Sequence, residues 1–159
     1  MQTFLTTSNF ATTAQHLDNK RLNKQALEAW QIMMTNLCLN PAGEHRQPKG
    51  WYNHPASRMW RGYETTLMEY IDAMCTEWVA RGYKTTIADK AHATLQIALD
   101  RQLTPTTKIT PTWFDQLPEI TVTHRTALLC KNYDHYHQFG WSEDTGTAPA
   151  DYEYIWAVK

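Results

Sequence analysis

The sequence predicts an all-α fold. The expected form is a compact bundle of three to four helices in a single domain spanning residues 1–159, with long loops and a packed aromatic C-terminal tail. Three observations predict it. Apolar residues recur at helical spacing over several long stretches, strand-like alternation is scarce, and polar segments rich in Gly and Pro separate the stretches. With 159 residues and 42% apolar content the chain is long enough to bury a real core. There is no internal repeat or low-complexity tract.

The elements follow in order. Residues 7–17 read as a short helix with Ser8 as its cap. Asp18 caps a long helix from about residue 19 to 39, whose buried stripe is Leu22, Ala26, Trp30, Met33 and Leu37. Asn40-Pro41 stops it, and the polar loop AGEHRQPKG follows. Asn53 can cap and Pro55 can open the next helix, since the first turn has no use for the missing N–H. Leu67, Tyr70, Ile71, Met74, Cys75 and Trp78 form a second long stripe, which Gly82 ends. Ile87, Ala91, Leu95 and Ala98 predict a third helix over 86–101. Pro105, Pro111 and Pro118 make 102–119 a covering loop pinned by Trp113-Phe114. Thr123 caps a last short helix, HRTALLCKNYDHY. The tail, 139–159, ends in DYEYIWAV, too much apolar area to be left in water.

Charge and composition narrow the function. Net charge is −1 with the histidines neutral, so the whole chain offers duplex DNA no general attraction. The aromatic share is 12%, with seven Trp and eight Tyr, which serve a core or provide stacking surfaces for bases. No run approaches the ~18 apolar residues of a membrane span, and the first fifteen residues lack a signal pattern. The expectation is a soluble cytoplasmic monomer. Cys38, Cys75 and Cys130 are odd in number and widely spaced, which fits buried thiols better than disulfides or a metal site.

Arg21, Lys24 and Glu28 stand three and four residues apart, so they share one helix face. Spacing alone leaves two readings open. One is an ordinary solvated i,i+4 pair worth a few tenths of a kcal/mol. The other is a carboxylate held among cations for chemistry. Asn53-His54-Pro55 marks a helix start, with Arg58 and Arg61 just beyond, and His124-Arg125 marks another. Unpaired N–H groups at such junctions attract anions, although each histidine could simply cap or pack locally. Asp134-His135-Tyr136-His137 lacks a second ligand pair at zinc spacing, so no metal is assigned. No Walker loop, GxGxxG or GxSxG elbow is present.

In order, LDNKRLNKQALEAW, GWYNHPASRMWRGYETTLMEY, EWVARGY, HRTALLCKNYDHY and the terminal YIW resemble the pyrimidine-dimer DNA glycosylase/endonuclease V family, in particular its small MQTFL-type members. The likeness runs over nearly the whole chain. It implies an all-α enzyme that flips a nucleotide out of DNA, breaks the N-glycosidic bond, and then cleaves the abasic strand. It implies an N-terminal α-amine as nucleophile and one glutamate of the first long helix as acid/base, which falls on Glu28. It also puts Arg21 and Lys24 where basic residues meet the DNA backbone.

The chemistry is coherent. An α-amine ordinarily has a pKa of ~7.7–8.0, so part of it is neutral and nucleophilic at physiological pH. Two features depart from the family pattern. Gln2 is bulky and normally blocks removal of Met1, so the amine on offer is that of Met1 unless other processing exposes Thr3. The chain is also slightly acidic where a lesion-scanning enzyme gains from a basic face.

The expected function is therefore a DNA base-excision enzyme acting on a damaged or modified pyrimidine, an N-glycosylase with a possible AP-lyase step. Glu28 and Met1 are the catalytic candidates. Arg21, Lys24, Gln25, His54, Arg58, His124, Arg125 and Lys131 are the candidate substrate contacts. The partner is DNA, and no cofactor is expected. The alternatives are a nucleotide or nucleoside N-glycosidic hydrolase using activated water, or a non-catalytic nucleic-acid-binding module.

Overall fold

The computed structural model describes residues 1–158. Its helices are α1 (Phe10–His16), α2 (Asn19–Leu37), α3 (Pro55–Arg58), α4 (Glu64–Ala80), α5 (Ile87–Asp100), α6 (Leu117–Lys131) and α7 (Tyr133–Tyr136), with three short 3-10 turns between them. Among the described residues there is no strand, only an isolated antiparallel bridge joining Leu39 and His45. The all-α expectation stands; three to four helices was an undercount.

The boundaries differ for identifiable reasons. Asn9, not Ser8, caps α1 by accepting the Thr12 N–H. Helix α2 ends at Leu37 because Cys38 adopts left-handed geometry (φ 54), ahead of Asn40-Pro41. His54 rather than Asn53 caps α3, since Asn53 closes the preceding 3-10 turn. Gly62, at φ +84, separates α3 from α4, so the apolar stripe of 67–78 belongs to α4 alone. Helix α6 starts at Leu117, with Pro118 in its first turn, where no N–H is needed. The covering loop is correspondingly shorter. Thr123 is interior to α6 and donates its hydroxyl to the Ile120 carbonyl.

Helix α2 lies at the centre, packed on α4, α5 and α3, while α1 crosses α4. The whole predicted stripe of α2 is buried, as are Leu67, Tyr70, Ile71 and Met74 of α4 and Ala91, Leu95 and Ala98 of α5. Burying each large apolar side chain contributes about 1.5–3 kcal/mol. Indole N–H groups inside find oxygens: Trp30 donates to Thr94 at 2.9 Å and Trp60 to Thr3 at 2.9 Å. Of the three cysteines only Cys75 is fully buried. No helix among the described residues is long and apolar enough to cross a membrane.

Candidate active site

The first six residues thread into the core. Gln2, Thr3, Phe4, Leu5 and Thr6 are all buried. An extended segment inside a helical protein has no sheet partner for its N–H groups, so each must find a side chain. Gln2 N–H donates to Glu28 Oε2 at 3.1 Å, Phe4 N–H to Gln25 Oε1 at 2.8 Å, Leu5 N–H to His124 Nδ1 at 2.9 Å, and Thr6 N–H to Thr13 Oγ1 at 3.2 Å. Thr3 N–H turns to its neighbour's Gln2 Oε1 at 2.9 Å. The Tyr70 hydroxyl lies 2.8 Å from both Phe4 O and Gln25 Oε1. Arg125 Nε donates to Thr6 O at 2.8 Å. The amino end is thus held by α2 on one side and α6 on the other.

Beside this end opens a cleft of about 410 Å³, within the range of small-ligand sites. Its floor is Met1, Gln2 and Glu28. Its walls are the cations Lys20, Arg21, Lys24 and Lys131 and the rings of Tyr152 and Tyr154. The net charge of the chain hides this concentration: four cations face one carboxylate. Arg21 is braced by Asp18, with Nη1 to Oδ2 at 2.7 Å. Asp18 is held ionised by that arginine's backbone and side-chain hydrogen bonds and by Asn132, against the opposing pull of burial. Glu28 also lies near Tyr70, whose phenol is pushed well up by burial and further by the Glu28 charge.

The predicted residues divide into two groups. Met1, Arg21, Lys24, Gln25, Glu28 and Lys131 line the cleft. Gln25 does so while spending its carbonyl on the Phe4 N–H. The other four lie elsewhere. His54 caps α3, accepting Ala56 N–H at Nδ1. Burial lowers its pKa, and so does the positive charge of the Met1 amine, which sits close by. Arg58 faces a separate cleft with Arg61 and residues 157 and 158. His124 is 1% exposed, and Arg125 lies against Trp141 and Glu143. His124 and Arg125 hold the amino-terminal segment from behind.

Gln2, Lys20, Tyr152 and Tyr154 also line the cleft, although nothing in the sequence assigns them to a site. Lys20 stands four residues before Lys24 on the same helix face, which spacing shows. In DYEYIW the residues alternate exposed and half-buried, so Tyr152, Tyr154 and Trp156 share one face of an extended strap. Tyr154 packs edge-on against Phe4 and His124, and Lys131 Nζ donates to the Tyr152 hydroxyl at 2.7 Å. In the Asp134-His135-Tyr136-His137 stretch, His135 is engaged with the His16 carbonyl and His137 stacks on Tyr133.

His124 makes the site acid-sensitive. Burial pushes its pKa from 6.5 down to about 3. The folded state therefore keeps it neutral while the unfolded chain takes up a proton below pH 6.5. Its contribution to stability is present above that value and is lost progressively as pH falls toward 3. At pH 4 the loss is roughly 3 kcal/mol, an upper figure for one group. His124→Gln, which keeps an acceptor for Leu5 N–H, is expected to flatten this part of the stability–pH curve measured by denaturant melts. An unchanged slope would assign the acid loss to other groups.

A family model described as pyrimidine dimer DNA glycosylase matches residues 1–91 of the 159. No curated protein and no solved structure matches the chain.

Proposed function

Because the chain belongs to the pyrimidine dimer DNA glycosylase family, we propose that it excises a damaged or modified pyrimidine from duplex DNA, with the Met1 α-amine as nucleophile and Glu28 as acid/base. The observation that carries this reading is the 3.1 Å bond from Gln2 N–H to Glu28 Oε2, which ties the first residues to the carboxylate inside a cationic cleft. The segment's other N–H bonds fix its path, which supports a fixed placement of the first residues beside Glu28.

The steps balance on these groups. The neutral amine attacks C1′, and the glycosidic bond breaks with its electron pair leaving on the base. The carboxylate stabilises the cationic sugar, takes a proton from the attacking nitrogen, and returns one to the ring oxygen as the sugar opens to a Schiff base. Removal of a C2′ proton by the same carboxylate then expels the 3′ phosphate, which is the AP-lyase step. Lys20, Arg21, Lys24 and Lys131 hold phosphates, and Tyr152 and Tyr154 offer faces to the extruded nucleotide.

The direct test is glycosidic cleavage, read as alkali-labile breaks, on duplexes carrying a cyclobutane thymine dimer or other damaged and 5-modified pyrimidines. Cleavage of at least one beyond the undamaged control supports the reading; inertness on all of them refutes it. A companion prediction concerns binding. Lys24 is exposed on the cleft wall, so Lys24→Ala is expected to weaken binding to all duplexes alike and to reduce the slope of log K against log salt by about 0.9. A salt titration with an unchanged slope would remove Lys24 from the phosphate contacts.

A further inference from the structure

One buried donor in the cleft, the amide nitrogen of Gln2, lacks a hydrogen bond among the described residues. Gln2 is 6% exposed and lines the cleft beside Met1 and Glu28. Its Oε1 accepts the Thr3 N–H at 2.9 Å, a bond the amide nitrogen cannot make, so the orientation of the carboxamide follows. Its Nε2 is buried and makes no hydrogen bond among the described residues. Folded proteins seldom strand a buried donor this way unless it is kept for something. Tyr154 stands beside it. Burial and Tyr152 raise the Tyr154 phenol, and the neighbouring Gln2 amide partly offsets the rise, although the two side chains do not meet in hydrogen-bond geometry.

We propose that Gln2 stabilises the leaving base, donating Nε2–H to the 2-carbonyl oxygen of the pyrimidine as the glycosidic bond breaks. The proposal rests on the glycosylase reading above. Gln2 also supplies the main-chain N–H on Glu28, so its side chain acts at the glycosidic end of the base. There, the exocyclic acceptor next to the bonded ring nitrogen of a pyrimidine is the 2-carbonyl. As C1′–N1 breaks, the electron pair passes to N1 and is shared with that oxygen until the base takes a proton from water. A fixed donor in a dry site stabilises charge that appears only in the transition state.

Thymine, cytosine and uracil share the 2-carbonyl, so substituents at C4 and C5 are tolerated. A purine presents its ring nitrogen N3 on that side in place of an exocyclic oxygen, an acceptor set further back from the donor, and gains less.

Two variants at position 2 keep a bulky residue after Met1. Gln2→Glu keeps an acceptor for Thr3 N–H but removes the donor, and Gln2→Met removes both. On a duplex with one cyclobutane thymine dimer, both are expected to slow single-turnover glycosidic cleavage roughly 10²-fold. Both are expected to bind the same duplex already made abasic with wild-type Kd, because no base remains there to contact. Wild-type cleavage rates in both variants overturn the proposal. So does equal loss of cleavage and abasic-site binding, which marks a structural role. If the wild type itself cleaves none of the damaged or 5-modified pyrimidines while the variants bind normally, the function proposal falls and takes this one with it.

Discussion

Glu28→Gln is expected to lower glycosidic cleavage by roughly 10³-fold, within the 10²–10⁴ range that acid–base groups supply, and to leave the fold intact. The side chain is half-buried and its Oε2 accepts Gln2 N–H. A glutamine oxygen accepts the same bond, so the amino-terminal segment keeps its path. What disappears is the negative charge that steadies a cationic sugar and the capacity to carry a proton. Single-turnover cleavage gives the rate, and thermal unfolding checks the fold. A variant as active as wild type would remove Glu28 from the mechanism; one that fails to fold would show the carboxylate to be structural.

Blocking the Met1 amine is expected to have a comparable effect by a different route. An acetyl group leaves Glu28, the cations and the strap untouched but turns the nitrogen into an amide without nucleophilicity. Cleavage by the amine route should vanish, leaving only what water attack allows. The same modification has a readout independent of activity. The amine's positive charge helps to hold the His54 pKa down, second to burial, so acetylation should move the His54 titration upward in NMR spectra. Full activity in the acetylated protein would mean that water, not the amine, attacks C1′.

Periodicity made α2, α4 and α5 legible because their buried faces repeat every three to four residues. It failed for α6. There Pro118 was read as a breaker although a first turn tolerates it, and the apolar face is poorly segregated, with His124 and Thr121 buried among aliphatic neighbours. The cleft was half legible. Arg21, Lys24 and Glu28 fall together by helical spacing alone. The contacts that give Glu28 a context do not: Gln2 meets it across 26 positions, and His124 meets Leu5 across 119. Such pairings depend on how the first residues run between α2 and α6, which no local pattern encodes. His124-Arg125 looked like an anion site because both residue types bind phosphate. Their actual partners are the N–H of Leu5 and the carbonyl of Thr6.

The most direct measurement is reductive trapping. Wild-type protein incubated with dimer-containing duplex and sodium borohydride, then digested and sequenced by mass spectrometry, should carry the sugar on the nitrogen of the first residue. Intact mass of the untreated protein establishes that this residue is Met1. On the proposed route the chain end is the nucleophile, tied to the acid through the Gln2 N–H. Cleaved DNA with no covalent product, or a product on a lysine side chain, would contradict it.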